Sequence, residues 1–382
     1  MQMGTSGDIL VFMDRDDLNS LYGIRSHPYF IYTPRWVDSS AGIKALHYLC
    51  HAINMAGSQA YLVLTEASHQ GLPRINPDLH TPILTQEVSD AYFRNKTNPI
   101  VIYSETIPGN PLNANCIVRF LMNYCGSLGG PTYFEDGEHI VAFSKNIAFD
   151  YSSKNNTDEP PVLFIPPIDP REFTKNEEKD DFQVSYAGKY RSFVGKPPKV
   201  GFQNNFEIFR DGPKMQNRKQ VIEILSKTSV LYSFENSSIV TEAILSGTPV
   251  KFVENQFLGE IIAEHELGTG GLVLGSTQED IEKARGTIDE GISKYYEKTS
   301  DFLRDLNGFI AVTQEQAKYL GFKDPINVPV HANLFSKHRV GLARQIILHQ
   351  GLKTLTRVVF RFMLRRLSWR FWIGKEKNGV VK

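Results

Sequence analysis

The sequence predicts an α/β protein of two parallel-sheet units, followed by helices at its C-terminal end. Three observations carry this. A chain of 382 residues with 41% hydrophobic content is longer than one core usually fills, so two domains are expected. Short apolar runs that end in turn residues alternate with stretches of helical periodicity, the order that gives a parallel sheet covered on both faces. A polar, Pro-rich and charged stretch over residues 151–180 divides that alternation in two, as a domain seam does.

In the first unit, Tyr29–Thr33 is a strand closed by Pro34, and Ser39 to Gly42 leads into a helix with Ile43, Leu46, Leu49, Cys50 and Ile53 on one face. Gly57 ends it. Ala60–Leu64 is the next strand, Pro99–Tyr103 another, Ala114–Tyr124 is expected to be a helix and Ile140–Phe143 a strand. The second unit runs Phe182–Ala187 (strand), Pro198–Gly201 (strand), Met215–Ser226 (helix), Ser229–Ser233 (strand), Ser238–Leu245 (helix stopped by Gly247) and Pro249–Val253 (strand). Residues 277–319 are expected to be helical, and Gly268–Gly275 to be a flexible rim loop. The boundaries implied are an N-terminal extension (1–27), a first domain (28–165), a second domain (166–335) and C-terminal helices (336–382).

Composition narrows the function. Lys plus Arg and Asp plus Glu both number 42, and a zero balance lacks the basic field that a general nucleic-acid binder uses against phosphates. Cys50, Cys116 and Cys125 are few, odd in number and far apart, which suggests neither a disulfide framework nor a thiolate metal site and fits a reducing compartment. Residues 1–27 are acid-rich, without the basic and then apolar order of a secretory signal. No uncharged apolar run has the length to span a bilayer.

The most informative stretch is Ser229–Val250, VLYSFENSSIVTEAILSGTPV after its first serine, a strand–turn–helix–strand crossover. In a parallel sheet, ligands settle at the turn after a strand's carboxyl end. Asn236, Ser237 and Ser238 open the helix, where unpaired N–H groups and the positive end of the dipole can cradle a diphosphate without a cationic side chain. Glu242, one turn in, can accept both hydroxyls of a ribose, and Glu235 at the strand end can meet hydroxyls of a sugar. Ser and Asn are also ordinary helix caps, and a first-turn Glu suits the dipole, so the local pattern alone serves either purpose.

These residues resemble the donor-binding element of retaining GT-B glycosyltransferases of the family-4 type: Glu235, Glu242, Ala243, Gly247, Pro249 and Val250 match its pattern, with six residues between the glutamates where the family usually has seven. The resemblance extends over most of residues 28–320 and implies two Rossmann-like domains facing a central cleft. It also implies that Gly188 and Lys189, in Tyr186–Tyr190, form the turn after the donor domain's first strand, with Lys189 toward the phosphates. Arg210 and the Arg218–Lys219 pair are further cationic candidates. In the first domain it places Asp38, Ser40 and Gly42 on the loop after strand one, and Glu105 and Asn110 on a second cleft segment.

The implied activity is metal-independent transfer of a hexose-like sugar from a nucleoside-diphosphate sugar, with no cofactor, to a glycan or lipid-linked acceptor in bacterial surface-polysaccharide synthesis (O-antigen or capsule). Retention is the implied outcome, and Asp38 or Glu105 is the base candidate for inversion. A sugar-nucleotide epimerase of the same architecture and a non-catalytic nucleotide-sugar-binding membrane-assembly subunit are the rival readings. Replacing Glu242 by Gln is expected to abolish transfer and leave the fold intact.

Other constellations are weaker. Ala263–Gly268 holds His265 between two glutamates but lacks the second histidine of a zincin, which leaves a capping or cleft-edge role, and Asp136-Gly-Glu138 is a turn between strands. From Lys353 to Lys377 there are eight Lys or Arg and one Glu. On a helical wheel Leu352, Leu355, Val358, Val359, Phe362 and Met363 oppose Lys353, Arg357, Arg361 and Arg365, the design of an interfacial helix. Arg366 and Arg370 interrupt the apolar stripe, while Trp369, Phe371 and Trp372 suit a headgroup layer. The expectation is a cytoplasmic protein held peripherally on the inner face of the plasma membrane through anionic lipid; packing of this terminal helix on the first domain is the alternative.

Overall fold

The computed structural model describes residues 27–65, 74–180, 182–198, 205–210, 212–256, 258, 260–275 and 277–322. The N-terminal extension before His27 and the basic tail, with Arg357, Arg361, Arg365, Arg366, Trp369 and Trp372, lie outside the described residues.

The first half is a five-stranded parallel sheet of β1 (Tyr29–Thr33), β2 (Ala60–Leu64), β3 (Ile100–Ser104), β4 (Cys116–Leu121) and β5 (His139–Ala142), in the order β2-β1-β3-β4-β5. All five residues of β1 and of β3 are buried, as expected of strands covered on both faces. Helix α1 (Ala41–Met55) starts at Ser40, whose hydroxyl accepts the Ile43 N–H, and buries Leu46, Leu49, Cys50 and Ile53 in the main core with β1 and β2. Gly57, at φ +84°, ends it in the left-handed conformation that costs glycine least. Helix α2 (Gln86–Arg94) precedes β3, and α3 (Lys145–Asn155) follows β5.

One element differs in kind from its expectation. Ala114–Tyr124 has apolar residues at spacings that suit a helix, yet Cys116–Leu121 is a strand paired in parallel with β3. Cys116, Val118 and Phe120 alternate into the main core, and the β-branched Ile117 and Val118 favour that ladder. A second difference lies at the seam. Its beginning is the end of α3, and Leu163, Phe164 and Ile165 are buried, with Val162 bridging Ala142 beside β5.

The second half is a four-stranded parallel sheet of β6 (Gln183–Tyr186), β7 (Asn205–Ile208), β8 (Val230–Ser233) and β9 (Val250–Phe252), ordered β7-β6-β8-β9. Helices α4 (Gly188–Phe193), α5 (Arg218–Lys227) and α6 (Ser238–Leu245) connect it. The strand expected at Pro198–Gly201 falls almost wholly outside the described residues. The Gly268–Gly275 stretch is not a free rim: Val250 bonds backbone to Gly271 and Val273, and Leu272 and Val273 are buried. Two apolar residues seeking the sheet's edge override the glycines around them.

After α7 (Glu264–Leu267) and α8 (Gln278–Gly286) comes α9 (Ile288–Tyr319), 32 residues and therefore about 48 Å long. That length lets it serve both halves. Tyr295 packs with Phe164, Ile168 and Leu245, while Phe302, Leu306, Phe309 and Ala317 enter the first half's core. Tyr29 and Thr313 share a hydroxyl hydrogen bond of 2.7 Å. A second domain drawn as 166–335 thus includes a helix whose C-terminal part is built into the first sheet. The chain is α/β with two Rossmann-like sheets and a C-terminal helix returning to the first.

Candidate functional site

Chain segments that leave the carboxyl ends of strands in the two sheets meet each other. Asp38 follows β1, Lys189 follows β6, Arg210 follows β7 and Glu235 follows β8. Arg210 reaches across the halves, its Nη2 donating to the Asp38 carbonyl at 3.2 Å and lying 3.4 Å from the Asp38 carboxylate. This contact joins the two halves at the carboxyl ends of their strands, the edge where ligands bind in such sheets.

Helix α6 opens toward this place. Its N-cap, Ser237, is extended (φ −148°, ψ 174°) and makes no side-chain cap bond; the Val240 N–H bonds to the Ser237 carbonyl at 3.0 Å, and the cap hydroxyl serves none of the first-turn N–H groups. The side-chain nitrogen of neighbouring Asn236 is buried without a hydrogen-bond partner among the described residues. Ser238 is buried, its hydroxyl 3.5 Å from Glu242 Oε1.

Glu242 is 1% exposed and surrounded by cations. Arg210 Nη1 lies 2.7 Å from Oε2, Lys44 Nζ of α1 lies 3.5 Å from Oε1, and Arg218 Nη1 is 4.0 Å away. Burial alone would raise its pKa, but Lys44 and Arg210 outweigh it and hold the carboxyl below the usual carboxylate range. Burial pushes the Lys44 ammonium down from its ordinary value, with Glu242 opposing. Three cations and the anions Asp38 and Glu242 thus form one ion network, drawn from both halves.

Glu235 sits at the other side of the α6 turn, 8% exposed. Its Oε2 accepts the Lys189 N–H at 2.7 Å, and its carboxylate lies against Gly188. A Cβ on Gly188 would stand 2.4 Å from Glu235 Cδ, and Gly188 has φ +43°. Only glycine fits both conditions.

Glu105 is buried at the end of β3, with Oε2 accepting the Met122 N–H at 3.0 Å. Burial pushes its pKa up to about 7, against the Met122 N–H and the charge of Lys189. Met122 also faces Gly42, whose position has room for a Cβ 3.6 Å from Met122 Cε.

Two expected cleft residues have local duties. Ser40 caps α1. Asn110 closes its own loop, its Oδ1 accepting from Tyr103 Oη and the Ala114 N–H while its Nδ2 donates to the Ala114 carbonyl. The reason is geometric: the loop after β3 must turn back into β4, and a side-chain amide supplies both a donor and an acceptor for that turn.

Sequence reasoning passed over one residue that matters here. Lys44 lies among the apolar positions of α1; a lysine within a buried helix face is itself the signal, because such a charge is buried only when paired. Glu138 belongs to a turn, as expected, with Gly137 at φ +93°, yet its carboxylate also pairs with fully buried Arg119 at 2.7 Å. Beside His265, Glu266 accepts the Lys145 N–H at 2.9 Å, capping α3 from the other half.

No protein-family model and no curated protein sequence matches this chain. Among solved structures the chain is similar to WaaG, a glycosyltransferase involved in lipopolysaccharide biosynthesis, at 12% identity and a TM-score of 0.41, over 76% of this chain and 99% of that one. It is similar to the trehalose-6-phosphate synthase OtsA at 12% identity and a TM-score of 0.39, over 78% and 100% of the two chains. A co-structure of S. aureus MnaA with UDP is similar at 10% identity and a TM-score of 0.34, over 86% and 98%.

Proposed function

We propose that this chain is a GT-B glycosyltransferase that moves a sugar from a nucleoside-diphosphate sugar to a growing, lipid-linked surface glycan with retention of anomeric configuration. The observation that carries the proposal is the start of α6. It lacks a side-chain cap on Ser237, it is bracketed by Glu235 and Glu242, and the first half reaches the same helix one turn further on through Lys44.

In this reading the N–H groups of Ser237 and Ser238 and the Asn236 amide take the diphosphate, with Lys189 beside them. As the bond between the sugar's anomeric carbon and the diphosphate oxygen breaks, charge grows on that oxygen, and donors already in place stabilise it. Removing one such donor typically lowers turnover about 10²- to 10³-fold. Glu242 takes the ribose hydroxyls and Glu235, oriented by Gly188 and the Lys189 N–H, takes hydroxyls of the transferred sugar. Retention requires no protein base. The donor site is assembled without a metal in this proposal, and the basic amphipathic tail holds the enzyme on anionic lipid at the cytoplasmic face.

The test is to incubate purified full chain with a panel of nucleotide sugars and follow nucleoside-diphosphate release with and without bacterial membrane lipid extract. Release that requires the extract is expected. Conversion of the sugar without any acceptor would instead mark an epimerase, and nucleotide binding without turnover a non-catalytic subunit. Deletion of residues 352–382 should abolish flotation with anionic vesicles; unchanged flotation removes the membrane role.

A further inference from the structure

The carboxylate that this proposal gives to the donor's ribose has no open side. Glu242 Oε2 is taken by Arg210, of its own half, at 2.7 Å; Oε1 is approached by Lys44, of the other half, and by the Ser238 hydroxyl, each at 3.5 Å, and by Arg218 at 4.0 Å, with the two side chains of the Lys44–Glu242 pair each 2% exposed. A ribose diol binds a carboxylate by donating to its oxygens, which have lone pairs to spare, but Glu242 is 1% exposed, so a diol reaches it only if a neighbouring side chain moves aside. The Lys44 contact is longer than an ordinary charge-assisted hydrogen bond, whereas the Arg210 contact is short and Arg210 is anchored a second time on Asp38. Lys44 is the partner that yields.

We infer that Lys44 occupies the place of the donor's ribose hydroxyls at Glu242, so that the ion pair joining the two halves and the bound donor exclude each other. This rests on the assignment of Glu242 to the ribose. The consequence is a cleft held shut by its own donor-binding carboxylate. Because Lys44 belongs to α1 and Glu242 to α6, displacing the ammonium removes a buried contact between the halves, and donor entry is thereby coupled to their separation. Affinity for the nucleotide is then reduced by the fraction of molecules in which Glu242 is available.

Isothermal titration of UDP, GDP, ADP and TDP against the full chain separates the possibilities, using wild type, Lys44→Met, Lys44→Gln, Lys44→Arg and Glu242→Gln. One of these diphosphates is expected to bind wild type, more weakly by about tenfold or more in Glu242→Gln, and more tightly by about tenfold in Lys44→Met. Lys44→Gln should follow Lys44→Met and serves in its place if the methionine variant does not fold; Lys44→Arg, which keeps the charge, should bind no tighter than wild type. If Glu242→Gln weakens binding while the neutral Lys44 variants bind no tighter than wild type, the exclusion is overturned and the ribose assignment survives. If no diphosphate binds any of the proteins, or Glu242→Gln binds as wild type does, the ribose assignment itself falls and the exclusion with it.

Discussion

Lys44 and Glu242, 198 residues apart in sequence, meet at 3.5 Å between the two halves with both side chains almost wholly removed from water. Removing one partner of a buried pair leaves an uncompensated charge and costs about 3–5 kcal/mol. Glu242→Gln is therefore expected to lower stability as well as transfer, because it deprives both Lys44 and Arg210 of their carboxylate. Urea denaturation should show Glu242→Gln destabilised by about that amount and Lys44→Met/Glu242→Gln recovering part of the loss. Strictly additive losses would show that the two side chains do not interact.

Gly188→Ala tests how Glu235 is positioned. The new methyl group would meet the Glu235 carboxyl carbon at 2.4 Å, on a backbone at φ +43°. Left-handed backbone strain of about 1–2 kcal/mol adds to displacement of the carboxylate, so both stability and transfer should fall. In Gly188→Ala/Glu235→Ala the clash is gone and only the backbone strain remains. Part of the stability should return while transfer stays low. Full transfer by the double variant would end the role proposed for Glu235.

Arg119 carries a structural prediction independent of the site. Its guanidinium pairs with Glu138 through Nε and Nη2, donates to the Ile107 and Gly109 carbonyls and faces the rings of Tyr103 and Phe134. Arg119→Met should cost about 3–5 kcal/mol, because Glu138 and two carbonyls lose their partner. Arg119→Lys should also fail to restore stability, since a single ammonium cannot reproduce the bidentate fork. Wild-type stability in either variant would show that the pair holds nothing together.

Much of this architecture was legible because it depends on local pattern. β1, β2 and α6 lie where Tyr29–Thr33, Ala60–Leu64 and Ser238–Leu245 were expected, since apolar runs bounded by Pro34, Gly57 and Gly247 leave few alternatives. β4 was misread because Ile117, Phe120, Leu121 and Tyr124 fit a helical face as well as Cys116, Val118 and Phe120 fit a strand. Only pairing with β3 decides between them. The turn around Glu235 and the helix bearing Glu242 were visible for the same local reason. Lys44 was not, because its partner is brought to it by the packing of two domains, and no spacing along one chain encodes that meeting. The long reach of α9 into the first core was hidden likewise: its apolar stripe says that one face is buried, not which sheet receives it.

Glu105 supplies a prediction in which pH is the variable. Burial raises its folded pKa from the ordinary value of 4.5 to about 7. Between those values the folded chain binds more protons than the unfolded chain, so stability falls as pH rises. The contribution is fully present below about pH 4.5 and is lost through pH 7, above which the carboxylate is charged and buried. Glutamine cannot titrate but its carbonyl can still accept the Met122 N–H. Comparing wild type with Glu105→Gln cancels the titration of groups that do not contact this site. Over pH 5 to 8 the variant should therefore gain stability relative to wild type, by about 3 kcal/mol at most. Urea denaturation of both proteins at the two pH values measures the difference directly. Curves that shift in parallel would mean that Glu105 titrates like an exposed carboxyl group, and an inverting transfer that used it as base would then show no limb near pH 7 in its rate.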